Sequence, residues 1–296
     1  MVGKNKPFQS AINVVMILLS LAAILPIILL VISSFTDEVT LGVNGFSFFP
    51  EKLSLGAYAY LWFSRAKVFR AYGMTILITF VGTIINLIMT FLMAYSLSRK
   101  DLPGRNFFSF FVFFTMLFRG GLVPSYIMWT QLINIKDTFL ALIVPNLLCN
   151  SFFIIMMRTY ISMNIPEGLI EAARLDGASE LRILTQVVSP LSKPMIATVA
   201  LMVGLAYWND WQNGLYFILK RKDLFGIQSV LNAMISNAAF LANSQNTSGL
   251  VLSGGSVPTL GIRMAVAVVA LLPIMIIYPF FQKSFVKGIV VGGIKG

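Results

Sequence analysis

Ala11 to Ser33 is an apolar run without one charged residue. A helix that crosses a bilayer needs roughly 20 such residues, since lipid offers its backbone no hydrogen bonds. The run is too long for a signal-peptide core, and no small-x-small cleavage site follows it, so it reads as a retained span. Five further segments approach the same standard: about Tyr72 to Ser98, about Asn106 to Thr130, about Thr138 to Met157, Met195 to about Leu219, and about Gly261 to Phe281. The third contains Arg119 and the fifth contains Asp210. The expected fold is an all-α polytopic membrane protein, one domain over residues 1–296. Its six helices lie at about 11–33, 72–98, 106–130, 138–157, 195–219 and 261–281.

Composition agrees. Hydrophobic residues make up 57% of the chain, charged residues 11%, and the mean hydropathy is +0.85. A soluble domain carries about a quarter charged residues. An ordinary soluble enzyme, a disordered chain and a nucleic-acid reader are excluded. With no histidine, His-based triads and His-ligated metals are excluded as well. The single cysteine, Cys149, cannot close an internal disulfide or build a Cys-rich metal site. No catalytic or metal-ligating set is expected. There is also no G-x-x-x-x-G-K-[S/T] phosphate loop, so ATP hydrolysis would have to come from another subunit.

The net charge of +11 comes from cations in short loops, where they set membrane orientation. With the N-terminus inside, twelve Lys and Arg fall on the inner side and nine on the outer, with Arg119 within a helix. Both termini are then cytoplasmic. The inner connections are a tight basic turn at 99–105 and a long patterned loop at 158–194. The outer ones are a polar, aromatic segment at 34–70, with Leu53 to Phe63 a candidate interfacial helix, and an Asn-, Ser- and Gly-rich stretch at 220–260.

The loop from Asn164 to Pro194 is the most informative segment. Pro166 suits a first helical turn, and Glu167 complements the positive helix end. Gly177 can adopt the left-handed conformation that ends a helix. Ser179 is a good N-cap for a second helix, which runs through Leu181, Ile183, Leu184, Val187 and Val188 until Pro190 stops it. The product is a helix–glycine–helix elbow, too polar to span and too apolar for a solvated loop. Such a surface buries against a partner protein or lies on lipid.

Glu171-Ala172-Ala173, three residues, Gly177, nine residues, then Val187-Val188-Ser189-Pro190 resembles the EAA loop of binding-protein-dependent ABC importer permeases. Val187 and Ser189 depart from the family's Ile and Leu at the end of that pattern. Gly120 to Tyr126, Met157 to Tyr160, Trp208 to Trp211, Pro258-Thr259 and Tyr278 to Lys283 are similar to the MalG-like carbohydrate-uptake permeases, especially those serving oligo- and polysaccharide importers. The resemblance implies a type I importer permease in the cytoplasmic membrane, with Glu171, Ala172, Ala173, Asp176, Gly177 and Pro190 in its ATPase-coupling elbow. It also implies the partners: a second, homologous permease, two ATP-binding subunits that hold ATP and Mg, an extracytoplasmic solute-binding protein, and a sugar cargo. No cofactor is expected on this chain. A permease of the same architecture for a non-sugar solute is the alternative, and a secondary transporter a more distant one.

An ionised side chain at mid-bilayer costs at least about 2.5–3.5 kcal/mol, so it has a partner or a polar cavity. Arg119 and Asp210 lie at similar depth along their helices. An ion pair between them is one expectation; pairing with the sister permease or with pore water is the other. Tyr207, Trp208, Asn209, Asp210 and Trp211 bring aromatic faces beside polar groups, a combination that suits sugar rings. They are candidates for the substrate path or, equally, for helix packing and an interfacial aromatic belt. The basic tail from Lys283 to Gly296 is read as threading between the ATPase subunits or anchoring to anionic lipid.

Overall fold

The computed structural model describes residues 6–63, 65–236 and 259–293. These are mostly helical, with one isolated antiparallel bridge between Thr36 and Leu53. They form two compact units, Met1–Val68 with Leu231–Ile274, and Phe69–Val230 with Met275–Gly296.

In the first unit, α1 (Lys6–Ser34) runs unbroken through Pro26. None of its most apolar stretch is buried within the chain. Its C-terminal end is buried and polar: Ser34 Oγ lies 2.8 Å from Tyr58 Oη, and Phe35 stacks on the Tyr58 ring at 4.7 Å. Helices α2 (Glu38–Asn44) and α3 (Gly56–Phe63) follow, and α3 is the helix expected between Leu53 and Phe63. The Glu38 carboxylate accepts the backbone N–H groups of Leu260 and Gly261, each at 2.8 Å. A carboxylate there satisfies orphan donors at the start of α15 (Thr259–Gly293) and complements its positive end.

The second unit is built around α4 (Arg65–Ser98), which begins before the expected Tyr72. Among the described residues, α1 and α4 are the continuous helices long and apolar enough to cross a membrane; the number rises to four if each of two sharply bent helix pairs is one span. The third, fourth and fifth expected spans are interrupted. The third is split into α5 (Arg105–Leu117) and α6 (Leu122–Ile127), with a π-turn from Met128 to Leu132 and a bend of 113°. The bend falls on Gly121, whose φ is +85°. The fourth shrinks to α7 (Leu140–Ile143), leaves helical geometry around Pro145 and Asn146, and resumes as α8 (Ser151–Asn164), past the expected Met157. Asn150 caps that restart by accepting from Phe152 N at 3.0 Å. The fifth splits into α12 (Lys193–Trp208) and α13 (Gln212–Phe217). A 3-10 turn and α14 (Ile227–Ser236) complete the order.

Open backbone inside an apolar bundle leaves carbonyls without partners, and neighbouring side chains must supply them. Tyr207 Oη donates to Ile143 O at 2.9 Å, and Asn213 Nδ2 donates to Pro145 O at 3.1 Å. Asn86 Nδ2 donates to Leu147 O at 2.7 Å and Leu148 O at 2.9 Å, with Thr90 on its other end. Three polar side chains from α4, α12 and α13 thus hold carbonyls between Ile143 and Leu148, where α7 ends and the interrupted segment runs. Around them lies the core of the unit, including Ile78, Ala94, Met157, Ile161, Ile183, Val199 and Phe217.

The expected sixth span is surpassed: α15 is helical from Thr259 to Gly293, so much of the tail from Lys283 continues the helix. Lys4, Pro258 and residues 294–296 lie outside the described residues.

Candidate coupling elbow and path residues

The elbow folds much as its local chemistry dictates. Helix α9 (Glu167–Leu175) starts after Pro166 with Glu167 in its first turn. It ends in a Schellman turn: Gly177 N donates to Arg174 O at 2.9 Å and Ala178 N to Ala173 O at 3.0 Å. Gly177 has φ +79°, and a methyl group there would meet nothing within 4 Å. Glycine is required by conformation, not by space. Ser179 Oγ then accepts from Arg182 N and caps α10 (Glu180–Ile183).

Pro190 does not stop the second helix. The turn ahead of it widens to π geometry from Leu184 to Val188, and α11 (Ser189–Leu191) continues through the proline. Proline has no N–H and its ring crowds the preceding turn, so a wider turn accommodates it. The chain breaks at Ser192 instead, with a bend of 83° into α12.

The elbow has two unlike faces. Ile170, Ile183, Leu184 and Val188 are buried, and Ala173, Ala178 and Val187 pack on the same core. Glu171, Ala172, Asp176 and Gly177 face outward. So do Leu175, 89% exposed, and Leu181, 67% exposed. Among the described residues the Glu171 carboxylate has no bonding partner within the chain.

A network of charges ties the elbow to the turn between α4 and α5. Arg174 bonds Asp101 at 2.8 Å and Glu180 at 2.7 Å. Tyr95 Oη donates to the second Glu180 oxygen at 2.6 Å, and Arg99 pairs with Asp101 at 3.1 Å. Beside them Lys100 meets Glu167 at 2.6 Å. The hydrogen bonds from Arg99 and Arg174 lower the Asp101 carboxyl to about 2. One exposed pair contributes little, but a connected set restricts geometry at several points. Sequence reasoning missed these roles. The signal available was the Arg-Lys-Asp triplet in an inner turn, opposite an inner loop rich in Glu and Arg.

The path candidates separate. Tyr207 is 2% exposed and Trp208 7% exposed. Tyr207 holds the Ile143 carbonyl, and its ring lies against Gly82, where a methyl carbon would fall 2.5 Å from the ring. Trp208 packs near Tyr72, with ring centroids 6.4 Å apart. Both large rings are thus buried within the unit. Asn209 and Trp211 are exposed, and Gln228 donates to Asn209 Oδ1 at 3.3 Å.

The expected Arg119–Asp210 ion pair is not formed. Asp210 sits in the break after α12, where one carboxylate oxygen accepts Gln212 N at 3.1 Å and Asn213 N at 3.2 Å. The backbone donors that open α13 thus hold this oxygen in place. Arg119 lies exposed in the break between α5 and α6 and makes no ion pair among the described residues. Equal depth holds only on two continuous helices, and both are broken at these residues.

Asp137 is a further missed residue. One of its oxygens accepts Leu219 N, Lys220 N and Arg221 N at 2.7, 2.8 and 3.3 Å. These amides, that of Lys220 first, hold its carboxyl below the ordinary value.

Residues 87–291 match the family described as the binding-protein-dependent transport system inner membrane component. This chain belongs to that family. The matched span contains the elbow, the interrupted 144–150 segment and the Asp210 break. Protein LplC of Bacillus subtilis (strain 168) is 38% identical over 92% of this chain and 90% of its own length. The polygalacturonan/rhamnogalacturonan transport system permease protein YtcP of the same organism is 34% identical over 99% of this chain and 100% of its own. The crystal structure of a bacterial ABC transporter involved in the import of the acidic polysaccharide alginate superposes with a TM-score of 0.77. It is 28% identical and covers 96% of this chain and 99% of that one. The chain is therefore a mostly helical inner-membrane component of a binding-protein-dependent transport system.

Proposed function

We propose that this chain is a permease subunit of an ATP-driven carbohydrate importer, with oligosaccharide as its cargo. The relatives support the cargo class: polygalacturonan or rhamnogalacturonan is named for one and alginate for the matching transporter. The continuous helices α1, α4 and α15 and the three broken ones together make six spans, with both termini cytoplasmic. A second homologous permease completes the pathway, and an extracytoplasmic binding protein delivers the sugar. Two ATPase subunits carry ATP and Mg; this chain holds no cofactor.

One observation carries the coupling role. The elbow is packed on one face and clamped at its sides by Arg174 and Glu167, yet it presents Glu171, Leu175 and Leu181 outward without partners among the described residues. A carboxylate flanked by exposed leucines fits a cleft with a basic residue and apolar walls. ATP-driven closure of the ATPase subunits moves this face, and the clamp passes the motion to α4 while the chain itself passes it to α12. The bundle then opens outward to the loaded binding protein, and hydrolysis resets it. Asn209 and Trp211 are the cargo-contact candidates left by the burial of Tyr207 and Trp208, with Asp210 shaping the break between them.

The test is uptake by proteoliposomes holding the complex purified through this chain, with binding protein outside and ATP inside. Labelled pectin- or alginate-derived oligosaccharide should accumulate, and a labelled peptide or phosphate should not. ATP-dependent accumulation of peptide or phosphate, with no carbohydrate uptake, would make the sugar reading wrong. Uptake that ignores ATP would remove the importer reading altogether.

A further inference from the structure

The charges at the inner end of the second unit do not balance. Arg99 faces Asp101, Lys100 faces Glu167, and Arg174 faces both Asp101 and Glu180. Arg105 and Arg158 face no carboxylate among the described residues. Both instead donate Nε to a single acceptor, the Leu97 carbonyl, at 3.0 and 3.1 Å. Leu97 lies in the last turn of α4, where free carbonyls and the negative helix end draw cations. That end is equivalent to about half an elementary charge. Two full positive charges share it, and the Nη groups of both guanidinium forks have no partner among the described residues.

The location is specific. Arg105 opens α5 and Arg158 stands on α8. These helices meet along a seam in which Val112 packs with Ile154 and Leu97, and Leu102 and Ile155 lie beside them. Further along, Thr115 Oγ1 and Ser151 Oγ close the seam at 2.6 Å. The two arginines hold the opposite end, next to the basic turn at 99–105. Beside them α5 exposes Phe107, Phe108 and Phe111. A ligand here meets two forks of donors at one end and an aromatic, apolar wall along its length.

We propose that Arg105 and Arg158 bind the phosphate headgroup of an anionic phospholipid, whose acyl chains lie along the Phe107, Phe108 and Phe111 face. Guanidinium forks match phosphate oxygens in pairs. Basic pockets between spans on the cytoplasmic side take such headgroups. A zwitterionic headgroup brings its own cation and leaves the surplus charge uncancelled. Placing this site in the inner leaflet rests on the topology proposed above; the binding itself does not.

The test is native mass spectrometry of the delipidated complex titrated with phosphatidylglycerol, phosphatidylcholine or inorganic phosphate. Wild type should retain phosphatidylglycerol over phosphatidylcholine, and each of Arg105→Gln and Arg158→Gln should weaken that preference about fivefold. Lys193→Gln, which removes an inner-side cation away from the seam, should leave it unchanged. An undiminished preference in the double variant overturns the proposal. Full displacement of lipid by equimolar inorganic phosphate also overturns it, because the site would then take a free anion. So does loss of the ATPase subunit with lipid binding intact, because the arginines would then face protein. A second measurement leaves both arginines in place: a benzophenone side chain at Phe108 should photo-crosslink phosphatidylglycerol about fivefold more than phosphatidylcholine. Equal crosslinking contradicts the assignment even if the glutamine variants fail to assemble.

Discussion

Arg174 bonds Asp101 at 2.8 Å although 73 positions of chain separate them. The contact joins the outward-facing elbow to the turn that ends α4, and Glu180 and Tyr95 extend it along the helix. An elbow attached to the bundle only by its own two strands of chain could swing freely. Attached here as well, it moves with α4.

Arg174→Met should therefore uncouple more than it unfolds. Exposed ion pairs contribute up to about 1 kcal/mol each, so the melting point should move by only a few degrees. Transport per ATP hydrolysed should fall severalfold. Arg174→Lys, which keeps the charge between Asp101 and Glu180, should retain part of it. Unchanged coupling in Arg174→Met would leave the clamp with no transmission role.

Acidity should not release the clamp within the ordinary range. The Asp101 carboxyl is lowered to about 2 by its two arginines. A group lowered on folding contributes fully above its unfolded value and loses that contribution only as pH falls through the folded one. The stability difference between wild type and Asp101→Asn should accordingly stay flat from pH 8 to pH 5. A difference that shrinks across that window would mean that Asp101 is not held by Arg99 and Arg174.

Gly82→Ala should be costly for a reason visible only in three dimensions. The added carbon would fall 2.5 Å from the Tyr207 ring. Overpacking of this kind costs about 1–3 kcal/mol. Tyr207→Leu combined with Gly82→Ala should recover some of the loss, read by thermal denaturation of the purified complex. No recovery would place the strain elsewhere.

Asn86→Leu should leave the Leu147 and Leu148 carbonyls without a donor. An unsatisfied buried polar group costs about 1–3 kcal/mol, and the loss falls on the interrupted 144–150 segment. Proteolysis or hydrogen exchange of that segment should rise well before the rest of the chain responds. Uniform loosening would argue against Asn86 as its specific support.

Arg119→Gln and Asp210→Asn should act independently. The two residues share no ion pair, so their effects on transport should add within about 0.5 kcal/mol. Asn retains an oxygen able to accept the Gln212 and Asn213 amides, which favours near-normal assembly of Asp210→Asn. A large coupling energy in the double-mutant cycle would restore the ion pair that the geometry lacks.

What was legible in the sequence was local. Gly177 and Ser179 set their turns through their own backbone preferences, and both turns form as those preferences dictate. The uncharged run of α1 needs no neighbour to be read. The interruptions at 118–121, 144–150 and 209–211 do carry break-prone residues, Gly120-Gly121, Pro145-Asn146 and Asn209-Asp210, but membrane helices tolerate such residues, so composition alone does not separate a kink from a break. Helical periodicity carries no sign that Asn86 and Tyr207 will hold distant carbonyls. The same holds for Arg174: its helix is readable, but its partner Asp101 becomes a neighbour only when α4, α5 and the elbow pack together. The burial of Trp208 was not legible for a related reason, since an aromatic side chain next to polar ones reads the same whether it faces a cavity or a core.

The central claim is that the outward face of the elbow engages an ATPase subunit through Glu171. Its most direct measurement is affinity purification of the tagged chain in mild detergent, wild type beside Glu171→Lys. Wild type should bring down a second permease and an ATPase. The variant should keep the permease and lose the ATPase. Retention of the ATPase by Glu171→Lys, in the same proportion as wild type, would contradict the account.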